Sequence, residues 1–264
     1  MYRRSISTLG CPDFSLEQCL AFAERQALDA VEVRVLNDSI DLPAVLATTY
    51  GTPSALAERM RNSPVPIVSL DTSLTLVGNT ADDRNEFLRF IPWAEAAGAR
   101  WLRVFDGGET ADPAVHRTMA ETIAWWRAER SAHRWRPDIM VETHDALSTT
   151  ASLHALRAVA PGTAILWDTH HTWKVGGEDP ATTWDAIRRD VVHIHVKDSV
   201  DRPGPKHPFT YVLPGHGEFP MAALRPRLQA EFTGCVSLEW ERKWHPELAP
   251  LEDALTAATR SKWW

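Results

Sequence analysis

The sequence is poor in cysteine and has no long apolar run. Its three cysteines, Cys11, Cys19 and Cys235, are too few and too scattered for a disulfide framework or a CxxC metal site, so we expect reduced, buried thiols. No segment approaches the roughly 20 apolar residues that a membrane span needs, and the N-terminus has no signal-peptide core. These absences predict a cytoplasmic protein without a membrane partner.

Acidic residues outnumber basic ones, 35 to 28. The formal net charge is −7 at pH 7, and the Lys and Arg residues are spread along the chain instead of being clustered. Such a chain would repel a polyphosphate backbone unless a local basic patch overcame the charge. We therefore expect no nucleic-acid partner. Hydrophobic residues at 44% and charged residues at 24% are typical of a globular protein with a sizeable core.

Short β-branched runs alternate with longer amphipathic stretches along the whole chain. The predicted strands are Ser5–Leu9, Ala30–Val35, Pro66–Asp71, Arg100–Phe105, Asp138–Thr143, Ala164–Asp168, Val191–Val196 and Gly234–Trp240. Eight such units in 264 residues predict an α/β fold, a (β/α)8 TIM barrel forming a single domain over residues 1–264. Two domains would also fit this length, and a doubly wound open sheet is the alternative architecture. However, no linker and no GxGxxG after the first strand is present.

Capping and stop signals delimit the helices between these strands. The predicted helices are Leu16–Ala27, Arg84–Ala97, Ala114–Ala132, Leu147–Val159, Ala181–Arg189 and Met221–Ala230, the last interrupted by Pro226. Twelve tryptophans are many for this length, and we expect them in the core or at interfaces more often than at a sugar site. The C-terminal KWW, expected to be exposed, favours a homo-oligomer.

Four of the later strands end in carboxylates and histidines: they read IMVETHD, AILWDTHH, VVHIHVKD and CVSLEWE. In a barrel of this kind the active site lies at the C-terminal ends of the strands. Side chains alternate along a strand, so Glu142, Asp168, His195 and Glu239 are expected to point inward together. Buried carboxylates this close would take up protons unless a cation neutralised them. The pattern therefore predicts one divalent metal ion.

Three oxygen ligands and one nitrogen make a hard, mixed site suited to Mn²⁺ or Mg²⁺, with Co²⁺ or Zn²⁺ as alternatives and Mn²⁺ favoured. The competing interpretation is that these acidic residues only cap the following helices, as Asp145 or Asp198 could do. Four such residues on consecutive strands favour the metal site.

The sequence resembles the xylose isomerase-like barrels, a broad group of sugar and sugar-phosphate isomerases and epimerases. The likeness spans nearly the whole chain and is most specific in WDTHHTWKVGGEDP, HIHVKDS, LPGHGEF and GCVSLEWE. It implies a metal held by Glu142, Asp168, His195 and Glu239, with His171 near the substrate and His170 as the competing choice. The acidic balance argues against the DNA-cleaving endonuclease IV branch, so we expect a small carbohydrate substrate.

The resemblance also implies a mechanism, in which Glu142 and Glu239 transfer a proton next to a carbonyl through an enediolate. Epimerisation or aldose–ketose isomerisation of a small sugar, sugar phosphate or keto acid would result. The alternative is a lyase or dehydratase that eliminates a β-group from a keto-sugar, inosose or oxidised glycoside. A non-enzymatic alternative is a catalytically silent barrel that only binds a sugar or a partner protein.

Further residues are expected to contact the substrate: His171, Glu32, Arg103, Lys197 and Arg202. Glu32 could instead pair with Arg34 or Arg103 inside the barrel mouth, and His193 is more often a hydrogen-bonded core histidine than a ligand. Arg202 lies in the long segment Ser199–Phe219, which is either a lid over the site or a solvated excursion.

Overall fold

The computed structural model describes residues 1–110 and 112–264, and it confirms the predicted barrel. The barrel strands are β1 (Arg3–Ser7), β2 (Ala30–Val33), β3 (Ile67–Thr75), β4 (Trp101–Phe105), β5 (Asp138–Glu142), β6 (Ile165–Asp168), β7 (Val191–Val196) and β10 (Cys235–Leu238). All of their neighbouring pairs are parallel, and the sheet closes in the order β1-β10-β7-β6-β5-β4-β3-β2. An antiparallel hairpin of β8 (Asp198–Val200) and β9 (Thr210–Val212) follows β7.

Helices surround the barrel and connect its strands. They are α1 (Leu16–Arg25), α2 (Leu42–Tyr50), α3 (Pro53–Met60), α4 (Ala81–Leu88), α5 (Ile91–Ala97), α6 (Pro113–His133), α7 (Thr150–Val159), α8 (Thr169–Lys174), α9 (Pro180–Ile187), α10 (Met221–Glu231) and α11 (Leu251–Arg260). A capping box between Ser15 and Gln18 starts α1, and the Asp112 side chain accepts two backbone N–H groups at the start of α6.

Two helix predictions differ from the structure in an informative way. The predicted helix Arg84–Ala97 is divided into α4 and α5. Pro92 has no backbone N–H and is therefore favoured in the first turn of a new helix, which is where it lies in α5. The predicted interruption at Pro226 does not occur, and α10 continues through this residue.

The barrel interior differs in polarity from its outer surface. The main hydrophobic core lies between the strands and the helices, whereas Ala30, Val68 and Cys235 form a small separate cluster near the N-terminal ends of their strands. Most of the buried charged groups belong to the barrel strands or directly follow them. The fold therefore collects charged side chains inside one end of a closed sheet.

Cysteine and tryptophan are placed largely as predicted. All three cysteines are free and buried, and Trp126, Trp167, Trp184 and Trp240 are fully buried. The expectation of an exposed C-terminal KWW holds for Lys262 but not for Trp263, which is only 6% exposed and whose ring lies 5.9 Å from that of Phe219. The predicted homo-oligomer loses that support. In the part of the chain that the structure describes, no helix is long and apolar enough to span a membrane.

We expect Trp126→Ala to lower the free energy of unfolding by about 3–5 kcal/mol, because it empties a core site. The Trp126 indole packs edge-on against Phe87 at 5.2 Å, and its N–H donates to Asp138 Oδ1 at 2.9 Å. The adjacent half-buried Trp125 is the matched control, and Trp125→Ala should cost only about 1 kcal/mol. Urea unfolding measures both, and equal losses would contradict the assignment of Trp126 to the core.

Candidate metal centre

The four predicted ligand residues converge at the C-terminal end of the barrel. Glu142 ends β5, Asp168 ends β6, His195 lies in β7 and Glu239 directly follows β10. Each offers one ligand atom, and these atoms all lie within 4.8 Å of one another. All four side chains are buried. The register of the sheet explains part of this convergence, because Asp168 and Ser237 both pair with His195.

Cations around this group favour its ionised carboxylates. Burial alone would raise the pKa of Glu239, but the charges of His195 and Lys197 outweigh it and hold this pKa below its ordinary range. For Glu142, burial is likewise outweighed, chiefly by Arg103, and its pKa is lowered. Conversely, the surrounding carboxylates raise the pKa of His195 although burial opposes this. The glutamates are therefore available as anionic ligands and bases at neutral pH.

The chemistry of this donor set fits a divalent metal ion. Glu142 Oε2 and Asp168 Oδ2 are buried and, among the described residues, accept no hydrogen bond of good geometry. Carboxylate oxygens of this kind, together with one imidazole nitrogen, are ligands for a hard or borderline divalent cation. Glu142, Asp168, His195 and Glu239 would hold that ion.

A second group of potential ligands shares His195. Glu32 Oε2 lies 2.6 Å from His193 Nε2 and 2.9 Å from His195 Nε2. The other nitrogen of His195, Nδ1, faces Glu142 at 3.2 Å and Glu239 at 3.3 Å. Glu32 therefore lies behind the imidazole, where a carboxylate fixes the tautomer and orientation of a ligand histidine.

This geometry differs from the predictions for Glu32. It contacts neither Arg34 nor Arg103 within ion-pair distance in the described chain, so the alternative of a pairing with an arginine is not observed. Its side chain is fully buried and is not among the residues that line the cavity described next, which also separates it from the predicted contact with substrate. His193 is a buried core histidine, as expected, and its Nε2 lies within ion-pair distance of Glu32.

A cavity of about 210 Å³ opens onto the metal-ligand group. It is lined by Leu9, Arg34, Arg103, Phe105, Glu142, His144, His171, Lys197, Glu239, Glu241 and Trp244. Its wall therefore combines candidate metal ligands, several cations and three apolar side chains, those of Leu9, Phe105 and Trp244. A small polar molecule fits this lining.

His171, not His170, faces the cavity. His171 Nδ1 lies 3.1 Å from Asp168 Oδ2 and 3.2 Å from the carbonyl oxygen of Thr143. His170 is fully buried, and its Nε2 is 2.8 Å from Ser199 Oγ. The local reason is the short helix α8, which starts after Asp168 and directs these consecutive side chains apart.

Lys197 connects two of the candidate ligands to a further carboxylate. Its Nζ lies 2.9 Å from Asp168 Oδ2, contacts Glu239 Oε2, and donates to Glu241 Oε1 at 2.6 Å. Tyr211 also donates to Glu241 Oε1, at 2.9 Å. These carboxylates raise the pKa of Lys197 despite its burial, so the ammonium stays charged.

Arg202 is not part of this arrangement. It is exposed in the loop between β8 and β9 and does not line the cavity. The C-terminal part of the segment Ser199–Phe219 is held by Asp198, which accepts backbone N–H groups from Gly215 at 2.8 Å, Gly217 at 2.9 Å and Phe219 at 3.1 Å. A side chain at position 217 would meet Asp198 Oδ1 at 2.1 Å, so this turn requires glycine.

Several residues that line the cavity were not among the site residues predicted from the sequence. His144 and Glu241 each lie two positions beyond a candidate ligand, on the same face of the chain, so strand alternation predicts that they point inward with the ligands. His144 Nδ1 lies 2.9 Å from Asp145 Oδ1; burial opposes its protonation, but this partner raises its pKa to about 9. Trp244, 38% exposed, follows the last strand in an irregular segment and carries no sequence signal.

Asp106 could form a third group of ligands with His144 and Asp145. Its carboxylate instead accepts the backbone N–H groups of Gly107 at 2.7 Å and Leu147 at 2.7 Å, which fixes the turn after β5. Burial raises the pKa of Asp106 to about 6. Its oxygens are therefore already used by the backbone.

Solved structures of similar proteins share this fold. The probable 3-DHS dehydratase AsbF from Bacillus anthracis, involved in petrobactin synthesis, has a TM-score of 0.78 at 16% identity, with 97% of this chain and 98% of that chain covered. The IOLI protein with a binding zinc atom has a TM-score of 0.74 at 18% identity, with 98% and 96% covered. A xylose isomerase domain containing protein from Salmonella typhimurium LT2 reaches 0.72 at 16% identity, with 98% and 96% covered.

At these identities the likeness establishes the fold alone. No curated protein sequence matches the chain. A sequence model of the xylose isomerase-like TIM barrel, however, matches residues 20–261. Because this match spans most of the chain, the protein belongs to the xylose isomerase-like TIM barrel family.

Proposed function

We propose that this protein is a divalent-metal-dependent isomerase or epimerase that acts on a small sugar, sugar phosphate or keto acid. The observation that carries the proposal is the convergence of Glu142, Asp168, His195 and Glu239 beside a small polar cavity. We favour Mn²⁺, with Mg²⁺, Co²⁺ and Zn²⁺ as alternatives. When bound, the ion would supply a Lewis acid for a substrate carbonyl.

Glu142 and Glu239 would transfer the proton. Both line the cavity, and nearby cations lower the pKa of each, so each carboxylate is a base at neutral pH. Lys197 and Arg103 hold these carboxylates in place through contacts with Glu239 and Glu142. Return of the proton to the opposite face of the same carbon gives epimerisation, and return to the neighbouring carbon gives isomerisation.

The substrate contacts follow from the lining of the cavity. We propose that His171, Arg103 and Lys197 contact substrate oxygens, since all three line it. Glu32 is reassigned to orienting His195, because it contacts that imidazole from behind. Arg202 is not among the proposed substrate contacts, because it is exposed and does not line the cavity.

Solvent hydrogen exchange tests the proposal. Metal-loaded protein should exchange the proton next to the carbonyl of its substrate with deuterium from solvent, as followed by proton NMR over a panel of ketoses, ketouronates, inososes and short keto acids. The metal-free protein is the control and should exchange none. If no compound in the panel exchanged its proton, the proposal would be refuted and a barrel that only binds its ligand would be favoured.

Elimination is the second candidate, and the likeness to a probable 3-DHS dehydratase favours it. Loss of a proton beside a carbonyl is the first step of elimination as well as of isomerisation. The same panel distinguishes them, since elimination yields an unsaturated carbonyl with new ultraviolet absorbance. Isomerisation leaves the elemental composition of the substrate unchanged by mass spectrometry.

A further inference from the structure

Arg34 is a buried cation that has no carboxylate partner among the described residues. Its side chain follows the end of β2 and is only 5% exposed. Its Nη1 donates to the carbonyl oxygen of Asp71 at 3.2 Å and its Nη2 to Ser73 Oγ at 2.9 Å, both neutral oxygens. Within the described residues, no carboxylate oxygen lies within 4.0 Å of this guanidinium. A buried charge without a counterion is costly, so the absence of a partner requires an explanation.

Arg103 lies on the same cavity wall and also has unused donors. It is 2% exposed, yet its Nε and Nη1 have no hydrogen-bond partner in the described part of the chain. Its nearest carboxylate is that of Glu142, with Nε 3.3 Å from Oε2, and its guanidinium lies 3.9 Å from the centre of the Phe105 ring. Glu142 is a candidate metal ligand and is therefore not a dedicated counterion for Arg103, and the carboxylate of Asp71 lies further away, with Oδ2 3.9 Å from Nε.

The two guanidinium groups influence each other. Burial and the neighbouring charge of Arg103 together lower the pKa of Arg34 to about 10, although Asp71, Glu142 and Glu239 compensate in part. Both arginines line the cavity beside the metal-ligand group. Two like charges that face one cavity stabilise an anion placed between them, and guanidinium donors match the oxygens of carboxylates and phosphates.

We propose that Arg34 and Arg103 form an anion subsite of this cavity and that the substrate carries an anionic oxygen group, a carboxylate or a phosphate. The statement about the substrate rests on the proposed function, whereas the existence of an anion subsite does not. It narrows the substrate to acidic hydroxycarbonyl compounds and excludes neutral sugars as preferred substrates. Arg103 places the subsite beside Glu142, so the anionic group lies near the reacting carbons.

Binding of small matched probes tests the subsite without knowledge of the substrate. Acetate and acetamide have the same shape and differ in charge, and inorganic phosphate represents the other anion class. Ligand-observed NMR on metal-free and Mg²⁺-loaded protein measures each affinity. We expect wild-type protein to bind acetate or phosphate at least about tenfold more tightly than acetamide. Whichever of acetate and phosphate binds more tightly identifies whether the subsite prefers a carboxylate or a phosphate.

Arg34→Met should abolish the preference for acetate or phosphate over acetamide. Arg34→Lys should retain part of this preference, because Lys keeps the charge without the planar donor pair. Ser73→Ala is the matched control: it removes one hydrogen bond of Arg34 but no charge, and the preference should persist. Circular dichroism and melting temperature establish that each variant is folded. An anion bound only by the metal would be unaffected by Arg34→Met.

Equal binding of acetate and acetamide by wild type, no binding of acetate or phosphate in the millimolar range, or a preference that survives Arg34→Met would each overturn the inference. These outcomes are separate from the failure of the proposed function, which is read from solvent hydrogen exchange. Exchange with a neutral ketose and no anion preference would refute the subsite alone. Anion preference without exchange would refute the isomerase alone.

Discussion

Replacement of Glu239 by Gln is expected to weaken divalent metal binding more than the 10–100-fold that is typical for the loss of an outer partner of a ligand. The amide has the shape of the carboxylate but lacks its charge, and Glu239 contacts His195 Nδ1 at 3.3 Å within the ligand group. Turnover should fall by about 10²–10⁴-fold, because the same group is a proposed proton-transfer base. Isothermal titration with Mn²⁺ and assays at saturating metal separate the two losses.

Glu241→Gln is the matched control for this experiment. Glu241 lies two residues further along the chain, lines the same cavity and contacts Lys197, but it is not a member of the metal-ligand group. The variant should bind Mn²⁺ with nearly the affinity of wild type. Equal losses of affinity in Glu239→Gln and Glu241→Gln would show that the general negative charge of the cavity, not coordination by Glu239, holds the metal.

The convergence of the four candidate ligands could be predicted from sequence because it depends on local rules. Strand periodicity determines that Glu142 and Asp168 point inward, and the barrel architecture brings the C-terminal ends of the strands together. The eight strands could be located for the same reason: each is a short apolar run between turn and helix signals. Their boundaries differ from the prediction by a few residues at most, except for β3, which extends to Thr75.

The partners of the other charged residues could not be predicted. Glu32 in β2 reaches His193 and His195 in β7 across the interior, although β1 and β10 separate these strands in the sheet. Such a contact depends on the tilt and stagger of a closed barrel, which no local pattern encodes. An arginine on the same or a nearby strand was the simplest partner to expect for Glu32, and it is not the observed one.

Irregular segments account for most of the remaining differences. Trp244 follows the last strand and reaches the cavity, whereas Trp263 near the C-terminus packs onto Phe219. Neither position shows a periodicity that distinguishes a core, cavity or surface role. Termini are expected to be exposed unless something holds them, and here tertiary packing holds Trp263.

Glu32→Gln is expected to weaken Mn²⁺ binding by about 10–100-fold although Glu32 is not among the four proposed ligands. The charge of Glu32 beside His195 Nε2, at 2.9 Å, stabilises the tautomer whose Nδ1 is free to coordinate a metal. An amide at this position loses the charge and can itself donate, so the imidazole is no longer held in one tautomer. Titration with Mn²⁺ measures the affinity, and nitrogen NMR shifts of His195 report its tautomer in the metal-free protein.

His193→Gln distinguishes this positioning role from direct coordination by the second group. Glu32, His193 and His195 also place potential ligand atoms within 4.8 Å of one another, and a metal bound there would lose affinity when either Glu32 or His193 is replaced. If Glu32 only orients His195, then His193→Gln, which can still donate to Glu32, should keep nearly wild-type affinity while Glu32→Gln loses it. A loss of the same size in both variants, with Glu239→Gln unaffected, would move the metal to the group formed by Glu32, His193 and His195.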